Sequence, residues 1–252
     1  MSLAAMLLAA RREARQIAVL PPDLVPQDAD AAYAVALEVA GALGWAPLGW
    51  KIAATTKVMQ ARLRMAEPIF GRSFARFLVE SPARFAHAAL LDPIVEAEFF
   101  YRLNRDLLPR ATPYAEAEIA EAVAVVHAGV EVAECRFPTS ALPPPNAVLA
   151  DGSGNGRYVL GPAIPPGTDL AAMEVVVAVD GVERRRGSGA EVMGHPLRAL
   201  TWLANRLPRA GTHLRDGEWV STGTASGMLA ARPGQRVTAR FGALPEIVID
   251  FA

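Results

Sequence analysis

The chain has 252 residues, 52% of them hydrophobic, and its 25 basic and 26 acidic side chains leave a net charge of −1. That length suits one large domain, or one domain with a helical annex, and the apolar share can build a real core. The charge balance argues against a nucleic-acid surface, which needs a basic excess, and the single cysteine, Cys135, excludes an internal disulfide and any cysteine-based metal cluster.

No apolar run reaches the length of a membrane-spanning helix. The apolar start, Met1–Ala10, is followed rather than preceded by Arg11, Arg12 and Arg15, the wrong order for a secretory signal. The expectation is a soluble, cytoplasmic protein in a reducing compartment, with no membrane partner.

Residues 3–18 read as an amphipathic helix with Leu3, Leu7, Ala10, Ala14 and Ile17 near one face, stopped by Pro21-Pro22. Asp28 can cap a second helix over 29–42, with Gly44 just past its end. These helices form an N-terminal region, residues 1–46, expected to act as a dimer arm or lid beside a catalytic domain of residues 47–252. Lys51 follows, in a short strand between Trp50 and Ile52. An ammonium there is costly unless it is paired or neutralised, although a side chain snorkelling from an edge strand would look the same. Thr55 or Thr56 can cap a helix over 57–65. Lys57 at its start opposes the helix dipole, which hints at an anionic partner. Lys51 and Lys57 are the only lysines.

The stretch Val95-Glu96-Ala97-Glu98-Phe99 alternates as a strand does, within residues 94–103. Glu96 and Glu98 then point to one face, about 7 Å apart along the strand. Thr112-Pro113 opens a helix expected to run to about 125. A second acidic strand follows over 129–136, with Glu131, Ala133 and Cys135 on one face; Glu134 on the other is at the strand's end or paired with Arg136. If Glu96, Glu98 and Glu131 converge, they cannot all stay ionised alone: two charges about 4 Å apart repel by roughly 4 kcal/mol at an effective dielectric near 20. They would take up protons or a divalent cation, and carboxylate oxygens favour magnesium, manganese or calcium over zinc. The bland alternative is the solvent face of an antiparallel strand.

Asp151-Gly152-Ser153-Gly154-Asn155-Gly156 is a glycine-rich loop that lacks the residues of a nucleotide motif and reads more readily as a flexible turn than as a phosphate cradle. Asp180-Gly181 marks a hairpin after a valine-rich strand. His195-Pro196 precedes a helix, and strands follow at about 218–222, 235–241 and 246–251. His127, His195 and Cys135 read as structural. The fold class is α+β, with a mainly antiparallel sheet core.

Gly49-Trp50-Lys51-Ile52, Thr56-Lys57, Glu67-Pro68 with Phe70-Gly71, Val95-Glu96-Ala97-Glu98, Val130-Glu131-Val132, Ala150-Asp151, Gly187-Ser188-Gly189-Ala190, Gly194-His195-Pro196-Leu197, Trp202-Leu203-Ala204-Asn205 and Ser221-Thr222-Gly223-Thr224 stand in this order. The set resembles the 2-keto-4-pentenoate hydratase and 4-oxalocrotonate decarboxylase group of the fumarylacetoacetate hydrolase superfamily, over roughly residues 46–251. The resemblance implies a mixed β-sandwich or β-roll with peripheral helices, and assembly into identical subunits. It also implies a magnesium or manganese ion held by Glu96, Glu98 and Glu131, with Lys51 as the acid or base. Asp151 would line the site, and Lys57 and Thr222 would meet the substrate. The implied activity is addition of water to a 2-hydroxy-2,4-dienoate, a dienol or 2-oxo acid, in the catabolism of aromatic ring-cleavage products. Partial burial is expected to lower the pKa of Lys51. Alternatives are decarboxylation of a vinylogous 2-oxo diacid, which a basic group such as Arg72 or Arg157 at the far end would favour; carbon–carbon hydrolysis; or a non-catalytic partner subunit. Two departures stand out: Gly152 replaces the group's usual asparagine, and Thr222-Gly223-Thr224-Ala225 looks more like the hydrolase branch.

Overall fold

Capping residues and β-branched runs divide the chain between short helices and two sheets. The computed structural model describes residues 1–252. Helix α1 (Leu3–Arg12) begins where the Ser2 hydroxyl accepts from the Ala5 amide. Helix α2 (Ala29–Leu43) begins where Asp28 accepts from the Ala31 amide and ends at left-handed Gly44. Then come β1 (Pro47–Ala53), α3 (Lys57–Leu63), β2 (Ile69–Phe74), β3 (Leu78–Glu80), β4 (Ala83–Phe85), β5 (Ile94–Leu103), α4 (Glu116–Glu121) and β6 (Val123–Ala133). Helix α5 (Pro145–Ala150), β7 (Arg157–Ala163), β8 (Glu174–Val179), β9 (Val182–Ser188), α6 (Pro196–Arg206), β10 (Trp219–Ser221), β11 (Met228–Ala230), β12 (Arg236–Phe241) and β13 (Ile247–Phe251) complete the chain.

The first sheet runs β2-β1-β10-β5-β6-β7-β3, with β11 also paired to β5; the second runs β4-β13-β12-β8-β9. Most pairs are antiparallel, and β1/β10, β3/β7 and β4/β13 are parallel. Strand β5 organises both sheets through its period of two. Val95, Ala97 and Phe99 are fully buried on one face, where Phe99 meets Phe241 of the second sheet edge-on at 5.4 Å. The opposite face is left for Glu96 and Glu98. The hairpin forms where expected, with Asp180 and Gly181 both left-handed between β8 and β9. No helix is long and apolar enough to cross a membrane.

Three expectations change. Helix α1 stops at Arg12, not near 18: Ala14 turns left-handed, and the Ile17 amide is drawn to the Arg136 carbonyl at 2.7 Å. The helix expected to reach 125 is only α4; Val123, Val125 and Val126 belong to β6, which pairs with β5 along its whole length. These β-branched residues suit a continuous ladder better than a helical turn. Residues 1–46 are no free arm or lid, because Leu7, Ala10 and Tyr33 join the same apolar core as the sheets, and Tyr33 stacks on Phe70 at 3.9 Å.

The glycine-rich loop is docked, not free. Gly71 of β2 pairs with Lys51, and a Cβ on Gly71 would lie 2.0 Å from the Gly152 carbonyl oxygen. The Ser153 hydroxyl donates to the Phe70 carbonyl at 2.7 Å. Three of the loop's amides are spent on nearby carbonyls, Gly152 on Leu149, Ser153 on Val148 and Asn155 on Gly152, which weighs against the phosphate-cradle reading. Because the obstacle to a Gly71 side chain is backbone, Gly71→Ala is expected to destabilise the protein by about 2 kcal/mol or more in urea unfolding; an unchanged midpoint would show the loop packs elsewhere.

Candidate active site

Glu96 on β5 and Glu131 on β6 are direct cross-strand partners, and Glu98 lies two residues along the same face. One carboxylate oxygen of each lies within 4.8 Å of the others, and all three residues are buried. Gly129 makes this possible: it stands opposite Glu98, and the Phe100 ring lies over it, so that a Cβ there would be 2.8 Å from the ring. The Gly223 amide donates to Glu98 Oε2 at 3.0 Å and the Tyr158 hydroxyl to Glu131 Oε1 at 3.4 Å. Glu98 Oε1 and Glu131 Oε2 are buried with no partner.

Lys51 of β1 answers this charge. Its ammonium lies 3.4 Å from Glu131 Oε1, and the residue is 2% exposed. Burial pushes its pKa down, but Glu131, then Glu96 and Glu98, more than offset this and hold it above its ordinary value. The expected lowering is therefore reversed: Lys51 is kept charged by acids rather than neutralised by its apolar flanks. Burial, opposed by Lys51, pushes Glu131 up to about 7 and raises Glu96; Glu98 stands well above its usual range through burial and its two acidic neighbours. Three carboxylates against one ammonium leave two negative charges to balance. Unpartnered hard oxygens in that number fit a divalent cation of the magnesium or manganese type.

Lys51 and Glu96 open onto a cavity of about 130 Å³, with Thr55, Thr56, Ser153 and Thr224 also on its wall and Met59, Ile69, Ile94, Leu142 and Met228 among its apolar lining. A larger cavity, about 510 Å³, lies elsewhere beside the start of α6 and is mainly apolar; the chemistry follows the acids and the amine, not the volume.

Of the remaining residues singled out from the sequence, only Cys135 is brought to this cavity. Asp151 is buried, but Arg136 holds both its oxygens (2.9 and 3.1 Å) and Arg11 lies 3.3 Å away, so it clamps α1 and the glycine-rich loop to the sheet. Lys57 is exposed and bonds Gln60 at 3.0 Å. Thr222 is buried with its hydroxyl donated to the Phe99 carbonyl at 3.1 Å; Thr224 lines the cavity instead. Glu134 pairs with Arg157 at 3.3 Å, while Arg136 meets only its carbonyl. Cys135 lines the cavity, but burial pushes its thiol up to about 12, leaving it inert. His127 bonds the Gly161 carbonyl and His195 caps α6. Tyr158 and the Gly223 amide were not legible as site groups, since nothing local marks them.

The family profile described as "Fumarylacetoacetate (FAA) hydrolase C-terminal" matches residues 92–251. A 2-keto-4-pentenoate hydratase of Burkholderia vietnamiensis is 33% identical, covering 99% of this chain and 96% of its own. The chain belongs to the fumarylacetoacetate hydrolase family. Within that family, a 4-oxalocrotonate decarboxylase from a Pseudomonas species is 29% identical over 74% of this chain and 72% of its own. The 4-oxalocrotonate decarboxylase from Pseudomonas putida G7, solved with magnesium and adipate, superposes with a TM-score of 0.91 at 26% identity, covering 99% of this chain and 96% of that one. The β-rich α+β architecture is thus the family's own.

The two kinds of buried carboxylate should respond oppositely to mutation. Asp151→Ala strands two buried guanidiniums and is expected to cost about 3–5 kcal/mol in urea unfolding, whereas Glu98→Gln should leave the cation-free protein as stable or more so; equal losses would place both in the same structural role. The sign with pH is also fixed. Folded carboxyls with raised pKa contribute stability fully below their ordinary value of 4.5 and lose it as pH rises through the folded value, about 7 for Glu131. The cation-free melting temperature should therefore fall between about pH 5 and 8 from this trio, and saturating magnesium should abolish the fall. Parallel curves with and without magnesium would contradict it.

Proposed function

We propose that this protein is a divalent-cation-dependent hydratase that adds water to a short 2-hydroxy-2,4-dienoate carrying one carboxylate. The observation that carries the choice is the far wall of the site cavity: beyond Lys51 it holds no cationic side chain. A diacid would bury a second carboxylate there unpaired, at a cost of several kcal/mol. Arg72 and Arg157, the two candidates for such a partner, are engaged elsewhere: Arg72 lies 2.7 Å from Glu218 and over Trp50, and Arg157 faces Glu134 and Phe77. The cavity's size agrees, since one of about 150 Å³ takes a molecule as large as benzene. The hydratases at 33% and 32% identity support the same reading.

Glu96, Glu98 and Glu131 would hold magnesium or manganese. When bound, the cation supplies Lewis acidity at the substrate's 2-oxygen. Lys51 carries the mobile proton at Nζ: in the net reaction one proton leaves the 2-hydroxyl, one reaches the carbon chain, and water adds across the remaining double bond. Tyr158 fixes Glu131, which in turn fixes Lys51. The apolar walls hold the hydrocarbon end, and the hydroxyls of Thr55 and Thr224 offer its polar partners. Asp151 acts as a positioning residue through the loop it clamps. The proposal includes a cytoplasmic setting and assembly into identical subunits, with no nucleic-acid or membrane partner.

Lys51→Met is expected to lower kcat by about 10²–10⁴ while manganese affinity, read by calorimetry, is kept; wild-type turnover would remove the role. In a panel of dienols and 2-oxo diacids followed by ultraviolet loss and carbon dioxide release, monoacids should be consumed without carbon dioxide. Leu142→Arg should shift kcat/KM toward diacids by roughly tenfold. Carbon dioxide release from a diacid as the faster reaction would make the protein a decarboxylase.

A further inference from the structure

Beside the catalytic cavity lies a second, of about 240 Å³, whose wall holds five arginines, Arg11, Arg12, Arg76, Arg136 and Arg157, with Glu134 as its one acid. The two cavities share chain segments. Ser153, Gly154 and Cys135 line the first; Glu134, Arg136, Asn155 and Arg157 line the second.

The charges here do not balance. Glu134 lies 3.3 Å from Arg157 and also accepts from the Leu91 amide at 2.9 Å. Asp151 is shared by Arg136 and Arg11. Arg12 has only the Ala42 carbonyl, and Arg76 has no acid partner. Five guanidiniums therefore face two carboxylates, an excess of three positive charges on a chain whose net charge is −1. Burial, and then the charge of Arg136, push Arg11 down to about 10, as expected where cations crowd.

The rim arginines are also held ready to bind. Arg76 lies over Trp45 at 4.5 Å and Phe77 at 5.4 Å, and Arg157 over Phe77 at 5.3 Å and Phe85 at 5.8 Å. Stacking fixes a guanidinium plane without using its N–H groups. Arg157 Nε is buried 3.3 Å from Glu134 Oε2, an ion pair that falls short of hydrogen-bond geometry. A carboxylate is saturated by one guanidinium fork in its own plane. Forks from α1, the segment after β2, and the start of β7 line one small space, which suits a tetrahedral anion with several acceptor oxygens. We propose that this cavity binds a phosphate group, either free or as the head of a small phosphomonoester.

The test is calorimetric titration of the full-length, cation-free protein at low salt with inorganic phosphate, ribose 5-phosphate and succinate. Expected is binding of phosphate or the phosphomonoester at least tenfold tighter than succinate, weakened at least tenfold in Arg76→Ala and in Arg157→Gln; whichever of the two binds more tightly identifies the source. Arg76 is exposed, so its variant keeps the fold, and Arg157→Lys should recover part of the binding. No heat up to about 10 mM, succinate binding as tightly, or affinity unchanged in both variants would overturn the proposal. So would a protein whose assembly into copies blocks phosphate, because the guanidiniums would then serve an interface.

Discussion

Three buried carboxylates share one space with a single ammonium, and much of the structure serves to keep them there. Each ionised pair at about 4 Å costs roughly 4 kcal/mol at an effective dielectric near 20, and Lys51 offsets only part of it. Such a cluster persists because the sheet gives the side chains no other direction to point. Glu96 and Glu131 are locked opposite each other by the β5–β6 ladder, and Glu98 by the period of the same strand. The Gly223 amide and the Tyr158 hydroxyl stabilise one oxygen of Glu98 and one of Glu131, leaving the others without a partner.

The rest of the architecture can be read as support for that arrangement. The face of β5 away from the acids is apolar and pressed on the second sheet, so the strand cannot slip by one residue without burying glutamates in the wrong core. Strand β10 separates β1 from β5, and Lys51 reaches Glu131 from beyond it. The glycine-rich loop closes the site from the side, held by the close approach at Gly71, the Ser153 hydroxyl and the Asp151–Arg136–Arg11 cluster. Helix α1 is thereby tied to the loop beside the cavity, although it contributes nothing to the cavity that holds Lys51.

What was legible in the sequence was local. The period of β5 placed Glu96 and Glu98 on one face, Asp180-Gly181 marked its hairpin, and Asp28 and Thr56 capped the helices that follow them. Errors arose wherever a distant partner decided the outcome. Val123–Val126 spell an apolar helix face as well as a strand, and only the unpaired length of β5 chooses between them. Asp151 looks like a site acid until Arg11 arrives from the other end of the chain. Apolar neighbours in sequence suggested a lowered pKa for Lys51, but three acids from other strands raise it. Thr222 and Thr224 stand two residues apart after β10, yet the first turns its hydroxyl to the Phe99 carbonyl and the second lines the cavity.

The central claim is that Glu96, Glu98 and Glu131 jointly hold one divalent cation next to Lys51. Anomalous diffraction at the manganese edge, from crystals grown with manganese, tests it most directly. Expected is one strong peak within about 2.0–2.5 Å of an oxygen from each of the three carboxylates. A peak elsewhere, or none between them with the three side chains sharing protons among themselves, would contradict the metal centre and the hydratase chemistry that depends on it.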